Sequence, residues 1–258
     1  MFKIIETHAH IYDEAFLQDL PEMLSRAKEI GIAEIWMPNC DVATMPAMQL
    51  LASKFPDFCK PMLGLHPCYV KENFETELQL IEAEVNKNRP IAIGEIGLDL
   101  FWDKTFIEQQ KLAFLYQCNL ALKHQLWIDI HSRNAFWETV ELIEKIGDSK
   151  LKGIFHCFVG NLEEAQKAIE LGFLLGIGGV STFKNSGIDK VLAQIDPKYI
   201  VLETDSPYLA PVPFRGKRNE PAYLPIIVKK LAEIYQITEN EVIEITTNNA
   251  LNLLKINK

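Results

Sequence analysis

Short apolar segments recur along the whole chain, at intervals typical of alternating strands and helices. Eight of them are too short for buried helices and are rich in Ile, Leu, Val, Met and Trp. Strands that are buried on both faces of a parallel sheet have this composition. The eight predicted strands are Phe2–Thr7, Glu34–Pro38, Pro61–Leu65, Ile91–Ile96, Leu126–Ile130, Gly153–Phe158, Phe173–Gly179 and Ile200–Leu202.

Longer segments with helical spacing separate these strands. In the segment 73–88, for example, Phe74, Leu78 and Ile81 recur every three or four residues and would form one apolar face of a helix. The predicted helices are Glu14–Ile30, Asn73–Asn88, Lys104–Lys123, Asn134–Ile146, Leu162–Leu171, Pro221 to about Tyr235, and Glu239–Leu254.

The repeated alternation of strand and helix predicts an α/β fold, a closed (β/α)₈ TIM barrel that forms a single domain over residues 1–258. An open, doubly wound sheet is the alternative. It is less favoured, because no G-x-G-x-x-G motif follows the first strand and the chain has no P-loop signature. In such barrels the active site lies at the C-terminal ends of the strands.

Composition and charge narrow the classes of function. The formal net charge of −9 argues against a broad electrostatic grip on nucleic acid, although not against a local site for phosphate. No apolar run is long enough to span a membrane, and the N-terminus does not resemble a signal peptide. The five cysteines form no C-x-x-C pair, so we expect reduced thiols and no cysteine-based zinc site. We also expect a cytoplasmic monomer.

Histidines and carboxylates cluster at the predicted strand ends. Five of the six histidines lie there, and the sixth, His124, ends a helix and is interpreted as structural. His8 and His10 are two residues apart on extended chain, so they project to the same side. A closed barrel brings distant strand ends together, as a metal centre requires. The other residues of the set are His66, Glu95, Asp99, His131, His156, Glu203 and Asp205.

This donor set predicts a centre for one or two divalent ions. Imidazole and carboxylate ligands together suit Zn, Mn or Ni, and also Mg if carboxylates and water dominate. Glu95 could bridge two ions about 3.5–4 Å apart, because a carboxylate has two oxygens. The predicted ligands are His8, His10, Glu95 and Asp205 for the first ion, and Glu95, His131 and His156 for the second.

Several of these residues have a second interpretation. Asp205 could accept a proton from the attacking water as well as bind metal. His66 could be a hydrogen-bond partner of the ligands or a substrate contact. Glu203 could orient a neighbouring group, and Asp99 could cap the following helix. We assign catalytic roles to Asp205, Glu95 and Glu203.

The motifs resemble those of the TatD-type metal-dependent deoxyribonucleases of the amidohydrolase superfamily. Glu6 and Val159 depart from that pattern, which usually has Asp and Ser there, but neither is an assigned ligand. The resemblance implies a barrel with a one- or two-metal phosphodiesterase site, the six ligands given above, and supporting roles for His66 and Glu203. The matching segments are Glu6–His10, Gly64–Pro67, Gly94–Asp99, His131, His156–Phe158, Glu203–Tyr208 and Arg215–Pro221.

Two functions fit these residues. The first is hydrolysis of phosphodiester bonds in DNA, as a 3′–5′ exonuclease, or in a related substrate. The second is hydrolysis of a small ester, lactone or amide, as in other superfamily members, many of which use a carboxylated lysine as the bridging ligand. Glu95 at that position favours the nuclease. Arg215, Lys217 and Arg218 form a basic cluster that we predict to contact phosphates, and the alternative is a solvated loop.

Overall fold

The computed structural model describes residues 3–102 and 104–255, and the strands in these ranges confirm the predicted order. Phe2, the predicted start of the first strand, lies outside the described residues. All the ladders between neighbouring strands are parallel. The strands are β1 (Ile4–Glu6), β2 (Ile32–Met37), β3 (Cys59–Pro61), β4 (Ala92–Asp99), β5 (Trp127–Arg133), β6 (Gly153–Phe155), β7 (Leu174–Ile177) and β8 (Ile200–Leu202).

The strand bounds differ from the prediction mainly at β3. Residues 59–61 pair with β2, whereas Leu63 in the predicted segment makes only an isolated bridge to Ile93. The apolar segment Pro61–Leu65 therefore pairs with β2 at its start and contacts β4 at Leu63. In contrast, β4 and β5 extend beyond their predicted ends because they pair with each other as far as Asp99 and Arg133.

Helices connect the strands and form the outer layer of the molecule. The predicted helix Glu14–Ile30 divides into a 3-10 turn at Glu14–Phe16 and the helix α1, because Pro21 lacks an N–H and fits only the first turn of a helix. The helices are α1 (Leu20–Glu29), α2 (Met45–Lys54), α3 (Phe74–Asn88), α4 (Ile107–His124), α5 (Phe136–Ile146), α6 (Leu162–Glu170), α7 (Ile188–Leu192), α8 (Leu224–Tyr235) and α9 (Glu239–Leu254).

Two of these helices, α2 and α7, were not predicted from the sequence. The first carries apolar side chains such as Leu50 on its exposed face, which obscures the periodic pattern. The second has only five residues and is too short to show a period. Neither changes the fold class, because each lies between two strands that were predicted. None of the helices in residues 3–102 and 104–255 is long and apolar enough to cross a membrane.

Backbone hydrogen bonds at two seams close the strands into a barrel. Ladders join β1–β2–β3 and β4–β5–β6–β7–β8. At the first seam the N–H of Leu63 donates to the carbonyl oxygen of Ala92 at 3.2 Å, and Gly94 donates back to Leu63 at 3.0 Å. At the second seam Thr7 donates to Leu202 at 3.0 Å. These bonds confirm the predicted (β/α)₈ barrel.

An apolar cluster fills part of the barrel interior. The rings of Trp36 on β2 and Trp127 on β5 lie 5.1 Å apart between centroids, although their strands are not neighbours, so the contact crosses the interior. Helix α9 adds Ala250 and Leu253 to this cluster. The other buried members are Ile5, Met62, Ala92, Ile154 and Val201.

The interior becomes polar toward the C-terminal ends of the strands. On β5, Trp127, Asp129 and His131 alternate with two isoleucines and so project to one face. Trp127 belongs to the apolar cluster, whereas Asp129 and His131 join a group of ionisable side chains above it. One strand therefore contributes both to the packed interior and to the polar end of the barrel.

We predict that Trp127→Ala lowers the free energy of unfolding by about 3–5 kcal/mol, as is typical when a buried aromatic ring is removed and a cavity remains. The indole N–H of Trp127 has no hydrogen-bond partner among the described residues, so the loss would measure packing. Urea denaturation followed by circular dichroism is the measurement.

The matched control is Trp137→Ala on α5. The Trp137 side chain is 44% exposed, so its removal should change the free energy of unfolding by only about 0.5 kcal/mol. Equal losses for the two variants would contradict the assignment of Trp127 to the packed barrel interior.

Candidate metal centre

The six residues predicted as metal ligands lie together at the C-terminal ends of the strands. Glu95 lies within β4 and His131 within β5, while the others directly follow strands. The Glu95 side chain is the hub of the group and is almost completely buried, with 2% of the residue exposed. The full set that the structure brings together is His8, His10, His66, Glu95, His131, His156 and Asp205.

The two carboxylate oxygens of Glu95 face two different groups of imidazoles. Oε2 lies 3.4 Å from Nε2 of His8 and 3.4 Å from Nε2 of His10. Oε1 lies 2.9 Å from Nδ1 of His131 and 2.9 Å from Nε2 of His156. The carboxylate therefore stands between two sets of nitrogen donors, as a bridging ligand would.

The first group has spacings that suit one ion. Nε2 of His8 and Nε2 of His10 lie 3.2 Å apart. Oδ1 of Asp205 lies 3.6 Å from the former and 3.8 Å from the latter. Ligands that bind zinc at about 2.0–2.2 Å in a tetrahedral arrangement are separated by distances of this size. The donor atoms of His8, His10 and Glu95 all lie within 4.8 Å of one another.

The second group includes His66 as a further candidate ligand. Its Nε2 lies 3.2 Å from Oε1 of Glu95, and His66, Glu95 and His131 form a set with donor atoms within 4.8 Å. Nδ1 of His131 also lies 3.3 Å from Nε2 of His156. The geometry of His66 is thus that of a ligand candidate, besides the supporting or substrate-contact roles predicted from the sequence. Its own Nδ1 accepts a hydrogen bond from the Cys68 N–H at 3.1 Å.

Hydrogen bonds from outside the centre orient the ligand rings. Nδ1 of His8 lies 2.7 Å from Oδ2 of Asp129. Nδ1 of His10 lies 3.1 Å from the Tyr12 hydroxyl, which donates to the carbonyl oxygen of Pro38 at 2.7 Å. Carboxylates and other acceptors in this position fix the tautomer and direction of a metal-binding histidine.

Asp129 and Tyr12 were not among the residues predicted from the sequence. A signal was present, because each lies two residues from a histidine of the centre, Asp129 before His131 and Tyr12 after His10. On the extended chain of β5, Asp129 and His131 share a face, whereas Tyr12 lies in the turn after His10.

Asp99 has a different role from the predicted helix cap. Its Oδ2 lies 2.9 Å from Nε2 of His131, so it orients that ring. Its Oδ1 accepts hydrogen bonds from the N–H groups of Phe101 and Trp102, both at 2.9 Å. The following helix α4 begins only at Ile107, so Asp99 caps the turn after β4 and not the helix.

Glu203 and Glu6 are buried beside the centre but belong to none of the candidate ligand groups among the described residues. Oε1 of Glu203 accepts a hydrogen bond from the Cys157 N–H at 2.6 Å and lies 3.8 Å from Nδ1 of His156. Glycine at position 176 leaves room for this carboxylate, since a methyl group there would collide with it. Glu203 thus lies beside His156 of the centre. Burial raises the pKa of Glu6 to about 8.

The charges of the centre suit a cation. Burial acts to raise the pKa of Glu95, but His66, His156 and His8 hold it well below its usual range. Burial and His156 act to lower the pKa of His8, yet Asp129 and Glu95 raise it to about 9. The carboxylates therefore stabilise positive charge among the imidazoles. A divalent ion can replace the protons there, because histidines release protons when they bind metal.

Asp205 closes the first ligand group from the end of β8. Its backbone φ is +56°, a left-handed conformation that aspartate tolerates better than most residues, and its N–H donates to the carbonyl oxygen of His8 at 3.0 Å. Burial raises the pKa of Asp205, against the opposing effect of His8, His156 and His10. The Asp205 carboxylate is thereby fixed beside the first ligand group with an increased affinity for protons.

The predicted basic cluster divides into two parts. Arg215 and Lys217 are exposed, and the Arg215 guanidinium lies 4.0 Å from the ring centroid of Phe183. Arg218 instead donates to both carboxylate oxygens of Asp19, at 2.6 and 2.8 Å. This ion pair holds the loop against Asp19, directly before α1. Phosphate contact by the three cations stays a prediction, and Arg215 and Lys217 are the two with exposed side chains.

Known proteins resemble this chain over almost its whole length. A family model described as TatD related DNase matches residues 5–255. The Bacillus subtilis protein described as uncharacterized metal-dependent hydrolase YabD is 36% identical over 255 residues, which cover 98% of this chain and 100% of that protein. The Yersinia pseudotuberculosis protein described as 3′–5′ ssDNA/RNA exonuclease TatD is 32% identical over 247 residues, with 93% and 95% covered.

A solved structure has the same fold. The TatD homologue YjjV from Escherichia coli K12 superposes with a TM-score of 0.91 and 27% sequence identity, and the alignment covers 97% of each chain. These matches confirm the resemblance that the motifs indicated. The chain belongs to the TatD-related DNase family of metal-dependent hydrolases.

Proposed function

We propose that this protein hydrolyses phosphodiester bonds in DNA or a related nucleic acid, as a metal-dependent 3′–5′ exonuclease. The observation that carries the proposal is the position of Glu95, whose two oxygens face two groups of imidazole donors. Two-metal sites of this kind suit phosphodiester substrates. The name of the Yersinia relative supports the same activity. A bridging glutamate also differs from the carboxylated lysine of many small-amide hydrolases.

The donor groups divide between two divalent ions. His8, His10, Glu95 and Asp205 would hold the first, and Glu95, His131 and His156, with His66 beside them, would hold the second. When bound, such ions stabilise negative charge on a phosphate and make a water molecule more acidic. Mg, Mn, Zn and Ni remain the candidate metals, since imidazole suits the transition metals and carboxylate suits the harder ions.

Asp205 acts as the general base in this proposal. It faces the first donor group, with its carboxylate held by the left-handed backbone at the end of β8. Burial raises its pKa, which makes it a better proton acceptor than an exposed aspartate. Asp129 keeps the His8 ring in the orientation that presents Nε2 to the centre. Glu203 lies beside His156, with Oε1 3.8 Å from Nδ1, which is too far for a hydrogen bond.

Arg215 and Lys217 supply positive charge for the substrate. Both are exposed on the long segment between β8 and α8. Contacts to phosphate oxygens position a nucleic acid without reading its sequence. A local pair of cations is compatible with the net charge of −9, which argues against a broad basic surface.

The bridging role predicts that Glu95→Ala loses metal and turnover together, because the variant removes one donor from each group. Metal content after dialysis against Mn²⁺ or Zn²⁺, measured by plasma mass spectrometry, and hydrolysis of a labelled oligonucleotide are the two readouts. Circular dichroism should show a folded barrel. His124→Ala is the matched control, since His124 ends α4 away from the centre and should keep both metal and rate. A Glu95→Ala protein with normal metal content and rate would disprove the bridge.

The general-base role predicts that Asp205→Asn lowers the turnover number by at least about a hundredfold, a typical contribution of general-base catalysis. Substrate affinity should fall far less, because the amide keeps the shape of the carboxylate. Metal content must be measured on the same sample, since Asp205 is also a candidate ligand. A variant that retains both metal and wild-type turnover would place the base elsewhere, with Glu203 as the next candidate.

We predict different effects for substitutions of the three cations in the basic cluster. Arg215→Gln and Lys217→Gln should each raise the Michaelis constant for an oligonucleotide and reduce the slope of log affinity against log salt by about 1. Arg218→Gln should lower thermal stability instead, because it removes the two hydrogen bonds that Arg218 donates to Asp19 and leaves that carboxylate with Arg26 alone. Lys150→Gln, an exposed cation on the loop before β6, is the control. Equal effects of Lys150→Gln and Lys217→Gln would contradict a local phosphate contact.

A further inference from the structure

Exposed aromatic rings are concentrated around the mouth of the metal centre. Among the residues that the structure describes, six aromatic side chains are largely exposed: Tyr69, Phe101, Trp102, Tyr116, Trp137 and Tyr208. All but Tyr116 follow the C-terminal end of a strand or start the next helix, whereas Tyr116 lies in the middle of α4. Exposed aromatic rings that are grouped in one region are a feature of binding surfaces.

Two of these rings and one arginine form a compact group, which we call the rim platform: Phe101, Trp102 and Arg133. The Trp102 and Phe101 residues are 67% and 48% exposed. Their ring centroids lie 5.0 Å apart at an interplanar angle of 86°. The Arg133 guanidinium carbon lies 4.0 Å from the Phe101 centroid and 5.0 Å from the Trp102 centroid, so a cation covers both rings.

The rim platform is attached directly to a residue that orients the metal centre. Oδ1 of Asp99 accepts the N–H groups of Phe101 and Trp102, and Oδ2 of the same carboxylate holds His131. Arg133 is two residues after His131 on β5, and its carbonyl oxygen accepts the N–H of Leu100 at 2.9 Å. One carboxylate therefore separates the platform from a candidate ligand, and hydrogen bonds on both sides fix its backbone.

Charge makes the platform suitable for a nucleotide. No carboxylate of residues 3–102 and 104–255 forms an ion pair with Arg133, in contrast to Arg26 and Arg218, which pair with Asp19 and Glu220. A guanidinium that stacks on rings keeps its N–H groups at the edge, where a phosphate oxygen can accept them. Stacking rings beside an unpaired cation are the features of surfaces that bind single-stranded nucleic acid.

We propose that the rim platform is a base-stacking subsite, in which Trp102 stacks on an unpaired base of the substrate and Arg133 contacts a neighbouring phosphate. The proposal rests on the proposed nuclease function and specifies how the site holds its substrate. Every base has a π face, so stacking gives affinity without sequence preference. Bases within a duplex are already stacked on their neighbours, so the platform selects single strands.

The test compares two oligonucleotides of equal length on the metal-loaded enzyme. One carries thymine throughout, and the other is abasic at its three 3′-terminal positions, so both present the same phosphates. We expect kcat/KM to be about tenfold higher with the bases present, within the range that stacking on one aromatic ring provides. Trp102→Ala should abolish most of this preference, and Trp102→Phe should retain part of it.

Tyr116→Ala is the matched control, because Tyr116 is an exposed aromatic residue away from the rim, and it should keep the wild-type preference. Arg133→Gln should reduce the salt dependence of kcat/KM for both oligonucleotides by a similar amount. Equal kcat/KM values for the two oligonucleotides in the wild type, or an unchanged preference in Trp102→Ala, would overturn the platform while leaving the nuclease function intact. Failure of the wild type to hydrolyse either oligonucleotide would overturn both proposals.

Discussion

A buried carboxylate destabilises a fold unless opposite charges and hydrogen bonds compensate for its lost hydration. Glu95 is such a group, and its compensation comes from five imidazoles that four different strand ends bring to it. Each of those imidazoles must then be held in one orientation, which requires Asp129 behind His8 and Asp99 behind His131. The polar side chains of the interior thus surround one buried charge. A closed barrel makes this possible, because it brings distant strand ends together.

The apolar cluster around Trp36 and Trp127 packs beneath the polar end of the barrel. Alternate residues of β5 pass from Trp127 in the packed cluster to Asp129 and then to His131. Close packing beneath the carboxylates restricts their rotamers and excludes water from their far side. Glycine at position 94 leaves the room that Asp129 needs, since a side chain there would collide with Asp129. Alternate residues of one strand therefore contribute first to the packed core and then, further along the barrel axis, to the metal centre.

The sequence predicted the strands and the donor set because both leave local patterns. Apolar runs of four to eight residues mark buried parallel strands, and two histidines at i, i+2 are conspicuous at a strand end. Tyr12 and Asp129 were missed because they look like ordinary strand or loop residues until their partners are known. The ion pair of Arg218 with Asp19 was missed because the partners are 199 residues apart in the chain, and no local pattern reports such a contact.

Asp99 links the candidate metal centre to the proposed base-stacking subsite. The sequence permitted a helix cap, but its two oxygens divide between a candidate ligand and the turn that carries the exposed rings. Movement of Asp99 with that turn would change the hydrogen bonding of His131, and loss of His131 would remove a partner from Asp99. The rim of this barrel is thus coupled to the metal centre by hydrogen bonds of normal length. The proposed stacking residue Trp102 and the candidate ligand His131 consequently both depend on the position of Asp99.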